Sequence, residues 1–263
     1  MARDHFLETA MPIAFVRTVS ESIHNCELTH MDQETIDLDH ARSQHATYVD
    51  ALRLLGCEIQ QLPQLDHQPD AVFVEDTAVV VPELAILTNP GAASRRGEVD
   101  TVGEALAEFR PVVRLTNDGN LEGGDVLRIE NQVHVGCASR TNEAGILELR
   151  SHLEPLGYDV ITIRHGEALH LKTACTYLGD GVLLLNRNWV DIEDFDELEP
   201  LECHPDEPFA CNAIRLGDSV LFPEEFIQTR KRIEARGFNV HPVPASELAK
   251  AEGGLTCSSI IID

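Results

Sequence analysis

The stretch AVFVEDTAVVVPELAILTNPGAASRRGEVDTVGEALAEFRPVVRLT, Ala71 to Thr116, decides how the rest of the chain is read. It opens with two apolar, β-branched runs, AVFVEDTAVVV and LAILTNPG, that read as strands. SRRGEVDTVGEALAEF then changes to helical periodicity, and PVVRLT returns to strand. The same order comes back as DVLRIE, QVHVGCA, the helix RTNEAGILELRSHLEPLG and YDVITIR. A further copy runs ACTYLGD, GVLLLN, an acidic helix near Asp191 to Leu198, and LECH. Another runs ACNAIRLGD, SVLFP, the helix EEFIQTRKRIEARG and FNVHPV. IAFVRT, the helix LDHARSQHATYVDALRLLG and CEIQQLP form a degenerate first copy.

The copies recur every 40 to 50 residues or so. Units of that length cannot bury both faces alone, so they are expected to pack around a common axis. Five of them predict a closed α/β propeller of strand–strand–helix–strand units, with TCSSIIID completing the ring beside the first strand. Gaps between copies are short, so a single domain over residues 1–263 is expected. Ser20 to Asp37, SESIHNCELTHMDQETID, is the longest irregular stretch and is expected to be a mobile lid. In a ring, every unit sends a loop to the axis, so a site is sought among loop residues of different copies.

Composition narrows the function. The 263 residues carry 45 acidic and 20 basic side chains, a net charge of −25, which argues against nucleic acid and anionic membranes. Cationic small molecules remain attractive partners. No apolar run approaches a membrane span, and MARDHFLETAMP lacks a signal-peptide pattern, so the cytoplasm is expected. Only three of the basic residues are lysines, which would suit a high-salt interior. The seven cysteines include no CxxC pair, and His24, Cys26 and Cys203-His204 lack the spacing of a zinc site, so neither a disulfide framework nor a metal is expected.

Four short motifs carry possible chemistry. PDAVFVEDTAV places Asp70, Glu75 and Asp76 beside an apolar run, where they form either a solvated strand end or a fork for a guanidinium or ammonium. NLEGGDVLRI sets Glu122 before two glycines that permit positive φ or a close backbone approach. ALHLKTA places His170 between leucines, as a core residue or an acid–base. GGLTCSSIIID presents Cys257 after a glycine turn, as a small buried hydrophobe or a nucleophile. Arg95 and Arg140 stand at loop-to-helix junctions, where the helix dipole gives a cation no benefit and a carboxylate-bearing partner would.

Together PDAVFVED, NPGAASRRGE, LEGGDVL, ASRTNEAG, LHLKTA and GGLTCSS resemble the dimethylarginine dimethylaminohydrolases, of the guanidino-modifying or pentein superfamily of five-bladed propellers. The motifs fall in order from Pro69 to Ser259. The resemblance implies hydrolysis of Nω-methylated arginines to citrulline and a methylamine, without cofactor or metal, in a monomer or homodimer. It implies Cys257 as nucleophile forming an S-alkylthiouronium, His170 as general acid–base and Glu122 as its holder. Asp70, Glu75 and Asp76 would line the pocket of a cationic guanidino amino acid, with Asp76 the guanidinium partner. Arg95 and Arg140 would meet the α-carboxylate, and Leu28 on the lid and the Ala251 backbone would complete the pocket. Glu252 stands where many relatives have aspartate, and the lid around His24, Asn25 and Cys26 is individual. The alternatives are an arginine deiminase or another guanidino hydrolase, and a non-catalytic arginine-binding module. No segment matches the helical insertion typical of arginine deiminases.

Overall fold

The apolar runs that repeat along the chain form fifteen strands in five three-stranded sheets among the described residues of a computed structural model. Those are residues 11–263 without Asn117 and Asp196, so most of MARDHFLETAMP lies outside them. The first unit holds β1 (Ile13–Val16), helix α1 (Leu38–Leu54) and β2 (Glu58–Gln61). The second holds β3 (Ala78–Val81), β4 (Leu84–Leu87), α2 (Val99–Leu106) and β5 (Val112–Arg114). The third holds β6 (Val126–Ile129), β7 (Gln132–Gly136), α3 (Glu143–Leu153) and β8 (Asp159–Ile163). A short α4 (Leu171–Ala174) leads into β9 (Cys175–Gly179), β10 (Val182–Leu185) and β11 (Glu199–Glu202). The last full unit holds β12 (Ile214–Leu216), β13 (Ser219–Pro223), α5 (Ile227–Ala235) and β14 (Asn239–Val243), followed by α6 (Ser246–Ala249) and β15 (Ile260–Ile262).

Every sheet has one design: its first strand is antiparallel to the second, and the second is parallel to the third. In the sheet that joins the two ends, β15 takes the first place and pairs Ile262 with Ile13, while β1 runs parallel to β2. The ring therefore closes as the repeat predicts. Its apolar core lies between neighbouring sheets: one cluster joins Val79 and Ile86 to Val126, Val133 and Leu149, and another joins Leu178 and Leu184 to Val220, Phe222 and Ile233. The first strands face the axis and enclose a channel lined by Val79, Leu127, Tyr177, Ile214 and Ile260.

Three sequence expectations differ in detail. Asp191 to Leu198 forms a single 3-10 turn over Ile192–Asp194 among its described residues, not a helix. Acidic side chains crowd it, Glu197 has φ 60°, and Ile192, Phe195 and Leu198 pack onto the sheets instead. Its third strand begins at Glu199, ahead of LECH. VFVED is a 3-10 turn over Val74–Thr77, and TCS another over Thr256–Ser258, so their polar residues precede the strands.

Candidate active site

The turns that lead into the first strands meet at one end of the axis. Glu75 and Asp76 sit in the turn before β3, Glu122 at the start of the Gly123–Asp125 turn before β6, and His170 at the start of α4 before β9. Cys257 sits in the turn before β15. Around them lies a small cavity lined by Asp70, Asp76, Arg95, Arg140, His170, Ala251 and Cys257, with Glu27, Phe73, Leu169, Glu252 and Gly253.

Glycine is required where the turns touch. A Cβ on Gly124 would stand 2.6 Å from His170 Nδ1 and 2.8 Å from Asp76 Oδ1, and one on Gly123 would stand 2.0 Å from the Glu75 carbonyl oxygen. Neither has positive φ, so close approach is the reason for both.

His170 Nε2 is 2.7 Å from Glu122 Oε2, which turns Nδ1 toward Asp76 Oδ1 at 3.9 Å. Both His170 and Glu122 are buried. Burial opposes charge on the imidazole, but Asp76, Asp125 and Glu122 outweigh it and raise its pKa to about 9. The Cys257 thiol is pushed up to about 12 by burial and by the Glu75 and Asp76 carboxylates, so it holds its proton at neutral pH. Its sulfur accepts the Gly254 N–H at 3.3 Å.

The carboxylates divide by direction. Asp76 accepts Arg95 Nη1 at 2.5 Å and the Gly124 N–H at 3.0 Å. Burial alone would protonate it, but His170 and Arg95 bring its pKa down to about 2. Asp70 lines the cavity and accepts the Glu27 N–H through both oxygens, at 3.3 and 3.2 Å. Glu75 points away from the cavity, to Lys172 Nζ at 2.5 Å and Thr256 Oγ1 at 2.7 Å, where it borders the axial channel. Arg95 is fully engaged, binding Glu98 Oε2 at 2.9 Å and the Phe73 carbonyl at 2.8 Å besides Asp76. Arg140 bonds Thr29 Oγ1 at 2.8 Å and lies 3.6 Å from Glu122 Oε1. Leu28 packs against the cluster of Phe73, Leu248, Ala251 and Cys257 without lining the cavity.

These residues, in this order on this ring, match a known family. Residues 15–192 fit the family described as N,N dimethylarginine dimethylhydrolase, eukaryotic. The chain belongs to the dimethylarginine dimethylaminohydrolase family. It is 36% identical to the N(G),N(G)-dimethylarginine dimethylaminohydrolase of Streptomyces coelicolor, over 94% of this chain and 95% of that one. The enzyme of the same name from Pseudomonas aeruginosa is 34% identical, over 85% and 89% respectively. A solved structure of DDAH from Pseudomonas aeruginosa complexed with citrulline superposes with a TM-score of 0.92 at 32% identity, covering 96% of this chain and 99% of that chain. Among the described residues no helix is long and apolar enough to cross a membrane.

Sequence reasoning passed over two supports of these turns. Asp125 Oδ1 accepts the Leu171 N–H at 2.9 Å and fixes the turn that carries His170. Asn212 accepts the Thr256 N–H at 2.9 Å and donates to Thr256 Oγ1 at 3.0 Å, so it fixes the turn that carries Cys257. Both precede a first strand, as every other site turn does; aligning the repeats on their turns as well as their strands would have found them. Among the described residues, Asp76, Glu122 and His170 also bring one donor atom each within 4.8 Å, a set able to hold a metal ion. A cation there would compete with the His170 proton and with Arg95.

Proposed function

We propose that this protein hydrolyses Nω-methylated arginines to citrulline and a methylamine, with Cys257 as nucleophile and His170 as general acid–base. One observation carries this reading: an imidazole held by Glu122 at 2.7 Å shares a cavity with a buried thiol and the carboxylates of Asp70 and Asp76. Membership of the family, and the citrulline bound to the Pseudomonas aeruginosa relative, support the same substrate class.

The charges suit a cationic guanidinium. Placed beside Asp76, it offsets the negative field that keeps Cys257 protonated, so the thiol gives its proton to solvent and the thiolate forms as substrate binds. The thiolate attacks the guanidinium carbon and forms a C–S bond. His170 gives its proton to the methylated nitrogen, the C–N bond breaks, and a methylamine leaves an S-alkylthiouronium on Cys257. The neutral imidazole then takes a proton from water, whose oxygen adds to the same carbon. Breaking the C–S bond releases citrulline and the thiolate.

In this reading Arg95 keeps Asp76 ionised, and Glu75 with Lys172 braces the floor beneath the nucleophile. Arg140, of the two arginines, faces the substrate α-carboxylate, and Ala251 borders the chain between, with Leu28 packed behind that wall.

Citrulline release is measured in parallel from dimethylarginine, monomethylarginine, arginine and agmatine. The methylated substrates are expected to turn over fastest. Arginine turning over as fast as either would overturn the assignment, and binding without any turnover would leave an arginine-binding module. Cys257→Ser is expected to abolish turnover with affinity held within about tenfold, since the pocket carboxylates remain.

A further inference from the structure

Glu252 lines the cavity, yet its carboxylate is already occupied. Oε1 accepts the backbone N–H groups of His30 at 2.6 Å and Met31 at 2.7 Å, and Oε2 accepts that of Thr29 at 3.0 Å. Three successive amides aimed at one carboxylate form an anion-binding nest, here filled by a side chain more than 200 positions away in sequence. The backbone is shaped for it. Among the described residues only Glu130, Asp180, Glu197 and Glu252 have left-handed φ without being glycine. Glu130 and Asp180 lie in tight turns between paired strands, whereas Glu252, at φ 58°, follows α6 and precedes the glycine turn of Cys257. A non-glycine residue in that region is strained, so a compensating interaction is expected there.

The strip that carries the nest is held on the cavity by charged groups of the site itself. Glu27 N–H reaches Asp70, Ser94 Oγ donates to Glu27 at 2.5 Å, and Arg140 donates to Thr29. Further along, Asp37 N–H reaches Glu247 at 2.9 Å, and Lys250 donates to the Thr35 carbonyl at 3.2 Å. We infer that Glu252 is a positioning residue for the reaction: its carboxylate latches residues 29–31 beside the cavity that Glu27 and Glu252 line, and couples their position to the turn that bears the nucleophile. The coupling is short. Gly253 and Gly254 separate the latch from Leu255, and the Gly254 N–H is the one that donates to the Cys257 sulfur. A strip released from Glu252 frees that turn and opens the cavity to water.

This inference rests on the proposed hydrolysis only for its kinetic arm. Hydrogen exchange of the Thr29, His30 and Met31 amides is measured in the free, full-length protein and in Glu252→Ala, Glu252→Gln and Glu252→Asp. Hydrogen bonds to a charged acceptor predict exchange about tenfold faster or more in the alanine variant, less in glutamine, and partial protection in aspartate. With dimethylarginine, KM is expected to rise about tenfold in Glu252→Ala, and kcat to fall by less than KM rises. Unchanged exchange at residues 29–31 would overturn the latch whatever the substrate proves to be. A raised KM with unchanged exchange would assign the carboxylate to the ligand instead. Faster exchange in a protein that turns over no methylated arginine would keep the latch and sink the proposed reaction.

Discussion

At His170 the protein spends negative charge to keep one proton. Raised from 6.5 to about 9, this group favours the folded state when protonated. Its contribution to stability is therefore complete below about pH 6.5 and is lost as pH rises through 9. Activity should fall over the same range, because the departing amine needs that proton. Glu122→Gln is expected to move the alkaline limb of kcat/KM downward by about one unit, read from a pH–rate profile. A limb that stays near 9 would remove Glu122 from the relay. Taken one by one, Cys257, His170 and Glu122 each left a structural reading open; their motifs singled them out only together, through the family resemblance. Only the resemblance set Asp76 apart from Glu75: a 3-10 turn sends Asp76 into the cavity and Glu75 down to Lys172, and sequence adjacency hides that parting.

Elements of this fold differ in how plainly they are written. Strands and the helices α1, α3 and α5 follow from periodicity and caps, such as Asp37 accepting the His40 N–H and Asn142 accepting that of Gly145. The turns before the first strands are harder, since apolar runs such as VFV and III carry strand composition up to or through the bend. The failed helix near Asp191 shows the opposite limit, where acidic repulsion and tertiary packing override a weak pattern. These turns are the elements least able to absorb change. Gly124→Ala is expected to lower kcat by about a hundredfold or more, as the new Cβ forces His170 and Asp76 apart, with a stability loss of about 1–3 kcal/mol. Parallel denaturant melts and single-turnover rates measure the two effects. A fully active alanine variant would mean that the turns yield freely.

Across the whole molecule, charge opposes the ring that periodicity specifies. A net charge of −25 repels itself most when salt is low. The Debye length shrinks from about 30 Å at 0.01 M salt to about 3 Å at 1 M, so KCl should stabilise the fold. The melting midpoint is expected to rise by at least about 3 °C over that range, by calorimetry or circular dichroism. A flat response would show that the acidic surface is locally neutralised. The propeller itself was legible because five weak copies reinforce one another, whereas the closure of Glu252 on residues 29–31 joins segments that share no pattern. Closure has a further meaning for catalysis. The first and last strands of the described residues form a seam where β15 zips against β1, and the sulfur of Cys257, the proposed nucleophile, lies three residues ahead of that zipper. On the proposed assignment, a molecule whose seam is unfastened, a chain still short of Ile260–Ile262 included, is expected to lack activity.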